Sequence, residues 1–228
     1  DMIQIVGHPY FDFIADPRYA KPREKILASM GFPPGSKYLL YISGSAYCPD
    51  EPDIIETMLK WADESRFGVD MRLVVRPYQG GRAKDKEFDE GKYNRFEQHP
   101  RTFFYRKDFW DDIEKGAYFM NIMRHADAVV AIYSTAMIEA AVLDRPLIGI
   151  GFDGYHKRPL RKSINRFAMR EHFKDVLESG GVTMAKSFDE LAAAIDHAFK
   201  NPGTDADGRR WLRERVCWTL DGKSSERI

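Results

Sequence analysis

Apolar positions along the chain switch repeatedly between two spacings. The run "YLLYIS" (38–43) is short and rich in aromatic and branched residues, which predicts a buried strand. It is followed by "EPDIIETMLKWADES", where Ile54, Ile55, Met58, Leu59 and Ala62 recur at helical spacing and Pro52 suits a first turn. The same alternation continues. "MRLVVRP" predicts a second strand ended by Pro77, and a long polar passage from Tyr78 to Arg101 carries no strong element signal. "RTFFYR" predicts a third strand, "DIEKGAYFMNIMRHA" a helix and "DAVVAIY" a fourth strand. "STAMIEAAVLD" predicts the next helix, and "RPLIGIGF" a fifth strand. A basic loop follows, then a helix through "INRFAMREHFKDVLES", a short strand "GVTMA" and a helix in "SFDELAAAIDHAFKNPG". Ser187 and Glu190 form a capping box for that last helix.

Strands that alternate with helices specify a parallel sheet, and the near-continuous apolarity of "AVVAI" and "LIGI" specifies strands covered on both faces. The expected class is α/β, a doubly wound, mostly parallel six-stranded sheet. Residues 1–35 read as a linker entering from an upstream half, 36–203 as the nucleotide-binding unit, and 204–228 as a truncated helical tail. The opening "DMIQIVGHPYFDF" and closing "DGKSSERI" suggest a segment of a longer protein.

Composition narrows the function classes. Lys plus Arg and Asp plus Glu are 35 each, so net charge gives no reason to expect a nucleic acid partner. The two cysteines, Cys48 and Cys217, stand far apart and outside any paired motif, which fits a reducing, cytoplasmic compartment and gives no zinc pattern. No apolar run approaches the ~20 residues of a membrane-spanning helix, so membrane contact, if any, is expected to be peripheral.

In an open parallel sheet the ligand sits outside the carboxyl ends of the strands, where strand order reverses. With the commonest order that point falls between the first and fourth strands, which end in "SGSAY" and "YSTA". Gly44 and Ser45 would then face Ser134 and Thr135, with Tyr133 beside them. Glycine admits close approach to the backbone, and a helix starting at Ser134 or Thr135 offers amides and a positive dipole end to phosphate. Arg76, closing the second strand, adds a cation at the same edge. Glu139 is the only charge between Thr135 and Leu143 in an otherwise apolar helix, so it is expected to be buried and to need a partner. The partner expected is a ligand hydroxyl, as acidic residues accept from ribose in other nucleotide sites. As purely structural alternatives, Ser134 and Thr135 are ordinary cap residues and Glu139 is a carboxylate favoured by the helix dipole. Arg158 and Arg161, in the basic run after the fifth strand, are weaker candidates for the same ligand. No HExxH, paired cysteines or tight carboxylate cluster suggests a metal, and "SGS" lacks the further glycines of a dinucleotide fingerprint.

The segment "HADAVVAIYSTAMIEAAVLDRPLIGIGFD" resembles the strand, Ser/Thr turn and glutamate helix of the C-terminal half of GT-B glycosyltransferases. These include the bacterial surface-polysaccharide enzymes and the CDP-glycerol glycerophosphotransferase group. "GGVTMAKSFDELAAAIDHAFKNPG", "GHPYFDF" and "DGKSSERI" are similar to further segments of the same enzymes. The resemblance implies a metal-independent transferase half that binds a nucleotide-sugar donor and needs no cofactor. It places Ser134 and Thr135 on the phosphates, Glu139 on a ribose or sugar hydroxyl, and Gly44 and Ser45 along the cleft. The glycan or lipid-linked acceptor, and the catalytic base, would belong to an N-terminal GT-B domain. Two departures separate this chain from the glycerophosphotransferase pattern: "RPYQGG" has Tyr78 where that group has histidine, and "IYSTA" lacks its aspartate. Sugar transfer is therefore expected ahead of glycerol-phosphate transfer. A nucleotide-sugar 2-epimerase and a non-catalytic carbohydrate-binding domain share the fold and remain alternatives.

Overall fold

The computed structural model describes residues 3–44, 48–78, 90–106 and 112–228. Six parallel strands form one sheet in the order β3-β2-β1-β4-β5-β6. They are β1 (Lys37–Ile42), β2 (Met71–Arg76), β3 (Thr102–Phe104), β4 (Ala128–Ala131), β5 (Leu147–Ile150) and β6 (Thr183–Ala185). Every sequence-predicted strand is present, and β1 lies beside β4, so the strand order reverses where the sequence places the crevice.

Period-two alternation in each strand feeds two cores. On one face Tyr38, Leu40 and Ile42 of β1 meet α1 (Pro9–Ala15), α2 (Arg23–Ser29), α4 (Ile113–His125), α5 (Ala136–Val142) and α8 (Ala206–Cys217). On the other, Leu39 and Tyr41 meet α3 (Glu51–Asp63) and α7 (Phe188–Lys200). Ser187 caps α7, accepting from the Glu190 amide at 3.2 Å, while Glu190 reaches back to the Lys186 amide at 2.8 Å. Among the described residues no helix is long and apolar enough to cross a membrane.

Two stretches differ from their sequence reading. Residues 1–35, expected as a linker, contribute Ile14, Ile26, Leu27, Met30 and Phe32 to the first core, because α1 and α2 each present an apolar side to the sheet. The single helix expected over "INRFAMREHFKDVLES" is instead two 3-10 turns, Ile164–Met169 and Glu171–Phe173, leading into α6 (Lys174–Glu178). Ile164 and Phe167, and again Phe173 and Val176, stand three apart, the repeat of a 3-10 turn. Arg170 is extended and ends the first turn.

The tail docks through glycine. A Cβ on Gly208, near the start of α8, would lie 2.3 Å from the Gly180 carbonyl carbon, so only glycine lets the helix approach that loop. Gly208→Ala is expected to lower stability by about 2 kcal/mol in urea unfolding. Gly203→Ala, where a Cβ meets nothing within 4 Å, should stay within about 0.5 kcal/mol of wild type. Equal effects at the two positions would refute the close-packing account.

Candidate functional site

The carboxyl ends of β1, β2 and β4 bring most of the sequence-predicted residues together. β1 runs out through Ser43 to Gly44, where a Cβ would stand 2.9 Å from the Cys48 sulfur and 3.4 Å from Ile132 Cδ1. The turn after β1 is therefore packed directly against the turn after β4. Ser43 Oγ accepts the Tyr78 amide at 2.7 Å, fastening the turn after β2 alongside. Ser45 lies outside the described residues.

The Gly44 amide does not face a ligand. It donates to Glu51 Oε1 at 2.8 Å, so this residue serves the site by its lack of a side chain rather than by its N–H. Glu51 is fully buried and also accepts from Tyr41 Oη at 3.0 Å, Lys92 Nζ at 2.8 Å and Tyr93 Oη at 2.8 Å. Burial raises its pKa, opposed by Lys92, the Gly44 amide and Tyr93. Lys92 also holds the Cys48 carbonyl at 2.9 Å. Sequence reading missed this network, since "DEPD" at 50–53 reads as ordinary acidic N-terminal helix chemistry.

After β4, Tyr133 is half-buried against Phe173, with ring centroids 5.7 Å apart. Ser134 Oγ accepts the Ala136 amide at 3.3 Å and keeps its hydroxyl hydrogen available as a donor. Thr135 precedes α5 in helical conformation, is exposed and makes no side-chain cap bond, so of the two only Ser134 serves as a cap. One turn into α5, Glu139 meets the Tyr10 hydroxyl from α1 and lies in the field of Arg76 at the end of β2. Burial raises the Glu139 pKa, while the Tyr10 hydrogen bond and the Arg76 charge pull it back. Arg76 also stacks over Phe119 at 4.4 Å, which fixes its position. Tyr10 is the second residue that sequence reading missed, because "HPYFDF" gives no sign of which strand edge it meets.

Of the weaker candidates, Arg158 lies beside the start of α3. Arg158 forms a two-pronged pair with Asp50, at 2.8 and 2.6 Å, on the flank beyond β5, and Arg161 is exposed. Near them Asp50, Asp53 and His156 have ligand atoms within 4.8 Å of one another. Both Asp50 oxygens already serve Arg158, so a cation there would have to displace the guanidinium.

A doubly wound sheet of this order, with a small-residue turn, a cation and a helix carboxylate at its switch point, defines a Rossmann-like GT-B domain. The chain belongs to the family of CDP-glycerol:poly(glycerophosphate) glycerophosphotransferases, whose model matches residues 93–228. Solved structures with the same fold include the wall teichoic acid polymerase TagF, with a TM-score of 0.55, 16% identity, and coverage of 99% of this chain and 50% of that one. UDP-GlcNAc 2-epimerase from Methanocaldococcus jannaschii gives 0.53 and 15%, covering 92% of this chain and 55% of that one. WaaG, a glycosyltransferase involved in lipopolysaccharide biosynthesis, gives 0.51 and 14%, with 93% and 52% covered. The chain thus spans about half the length of the structures it matches. No curated protein matches the sequence significantly.

Two outcomes test the site. Glu51→Ala should cost about 3 kcal/mol or more in denaturant unfolding, because Lys92 is left as an uncompensated buried charge, and Glu51→Gln should cost less. The raised Glu139 carboxyl, normally near 4.5, binds more protons folded than unfolded. Its stabilising contribution is therefore full below that value and is lost as pH rises through the folded pKa. Glu139→Gln, which does not titrate, should gain in melting temperature over wild type at about pH 7 and lose that gain towards about pH 4. Tyr10→Phe, which removes the hydrogen bond to the charged form, should push the window higher. A Glu139→Gln difference that does not change with pH would contradict this reading.

Proposed function

We propose that the chain is the donor-binding half of a GT-B transferase, one that moves a sugar from a nucleotide-activated donor onto a cell-surface polysaccharide or its precursor. The observation that carries the reading is the convergence of Ser134, Glu139 and Arg76 at the switch point of the sheet. The Ser134 hydroxyl and the positive end of α5 take the donor phosphates. Arg76 neutralises part of the diphosphate charge as the leaving group departs, a role that needs no metal ion. Glu139 exchanges its Tyr10 partner for a donor hydroxyl, or accepts from both, since a carboxylate oxygen has room for two donors. The acceptor and the base that deprotonates it come from an N-terminal domain, and the whole works in the cytoplasm, with membrane contact peripheral.

A second reading has its own support. The family model over residues 93–228 favours glycerol phosphate carried by CDP over a sugar, whereas Tyr78 and the "IYSTA" turn favour the sugar. Calorimetry with CDP, CMP and UDP on the chain separates the two. Binding of UDP in preference to the cytidine nucleotides supports sugar transfer, and strict preference for CDP or CMP supports glycerol-phosphate transfer. Ser134→Ala should weaken whichever nucleotide binds by about tenfold, the loss of one hydrogen bond to a charged group. No measurable binding of any of the three would overturn the donor-site reading. Turnover of a nucleotide sugar by the full-length protein with no acceptor present would point to epimerisation instead.

A further inference from the structure

Four arginines gather at the amino-terminal ends of β1, β4 and β5, the opposite rim of the sheet from the donor crevice. Arg23, opening α2, donates to the Ser36 carbonyl at 3.0 Å, to Asp127 Oδ2 at 2.6 Å and to the His125 carbonyl. Arg124, in the last turn of α4, gives Nη2 to the Ile14 carbonyl at 2.9 Å. Arg145, just ahead of β5, gives Nε to the Leu143 carbonyl at 3.1 Å. Arg209 of α8 is fully buried and reaches Asp144 Oδ1 at 2.9 Å and the Thr204 carbonyl.

The carboxylates nearby pair with other cations. Asp127 pairs with Arg23 at 2.6 Å and Lys37 at 3.5 Å, and Asp144 with Arg209 at 2.9 Å. Asp16, which faces Arg124, is held by Arg18 at 2.6 Å. Among the described residues neither Arg124 nor Arg145 has a carboxylate at ion-pair distance, and the buried Arg124 Nε and Arg209 Nη2 have no hydrogen-bond partner. Burial lowers the pKa of Arg124 and Arg145; Arg145 lowers that of Arg124 further, against Asp16, while at Arg145 the lowering by Arg209 is smaller than the opposing effect of Asp144, which Asp127 and Tyr38 reinforce. His125, whose Nε2 lies 2.6 Å from the Lys21 carbonyl, borders the same group and is held below its usual pKa by burial and these cations, against the Lys21 contact.

Two half-buried cations with no carboxylate at ion-pair distance, beside unpartnered buried donors on two arginines, are costly unless an anion completes them. We infer that Arg124, Arg145 and Arg209 form a binding site for a phosphate group, remote from the donor crevice. A tetrahedral oxyanion of charge near −2 accepts from several guanidinium forks at once, which a single carboxylate does not. Inorganic phosphate and a phosphate monoester present the same chemistry.

The test is the thermal stability of the chain, titrated with inorganic phosphate, with glycerol phosphate and with chloride at matched ionic strength. The expected result is stabilisation by a phosphate beyond that by chloride, the stronger of the two identifying free anion or ester. Arg145→Met and Arg124→Met should each shift the half-saturating concentration upward by about tenfold. Ser134→Ala, at the donor crevice, should leave it unchanged. Arg209 is kept intact, since its replacement would empty a buried position. The inference is overturned by a phosphate response no greater than that of chloride, by one equal in wild type and both arginine variants, or by one lost in Ser134→Ala.

Discussion

The geometry of the crevice depends on the burial of one carboxylate. Glu51 at the first position of α3 is shielded from water, and an ion in that setting costs several kcal/mol unless donors surround it. Here they come from four places: the interior of β1, the turn after it, and two positions of the 3-10 segment Glu90–Phe96. Because the donors come from two separate stretches of chain, the end of β1 and the 3-10 segment, the carboxylate fixes their relative positions. Lys92 doubles the effect by holding the Cys48 carbonyl, so the chain leaving β1 is pinned at both Gly44 and Cys48. Gly44 and Cys48 are thus held for an electrostatic reason as well as a packing one. The dipole of α3 favours a negative charge at the same point.

This network also marks where sequence reading stops. The central strands were legible because they are buried on both faces, and a run such as "AVVA" has no other stable environment. The switch point followed, since the chain order of strands and helices leaves few arrangements of a parallel sheet. Glu139 was legible as a problem, a lone charge in an apolar helix, but its partners were not. Tyr10 is 129 residues away in sequence and Arg76 is 63 away, by subtraction of their numbers, and nothing local announces either contact. Glu51 failed for the opposite reason: a carboxylate in a helix's first turn already has a sufficient local explanation. The 3-10 stretch after β5 was misread because a helix and a series of 3-10 turns share the same apolar composition and differ only in an interval of three against three and four.

The two rims of the sheet treat charge differently. At the carboxyl rim the acids are met by donors: Glu51 by Lys92, Glu139 by Tyr10 and Arg76. At the amino rim the cations outnumber the acids left to meet them. Asp127 illustrates the contrast, because it receives Arg23, Lys37 and the Tyr38 amide, the last at 2.9 Å, and forms no ion pair with Arg145. Overall neutrality of the chain conceals this separation, which is why net charge carried so little information about partners.

Helix α1 joins the donor crevice to the tail. It has seven residues, too few to be stable alone, so its position is set by what it touches. Tyr10 turns to Glu139, while Asp12 accepts the amides of Gly222 at 3.2 Å and Ser224 at 2.8 Å, next to α9 (Ser224–Arg227). Gly7, at φ +84°, brings the entering chain so close to Ser224 that a Cβ would lie 2.4 Å from its hydroxyl. The entering chain, the tail and the carboxylate of the crevice thus share one small element. Since Tyr10 lowers the cost of ionising Glu139, any displacement of α1 changes the free energy of that carboxylate. By the same linkage, a ligand that supplies Glu139 with another donor favours the ionised form that Tyr10 also holds, and so strengthens the hold on α1. Under the proposed function the carboxylate is both the contact for a donor hydroxyl and the point at which occupancy is transmitted to the tail.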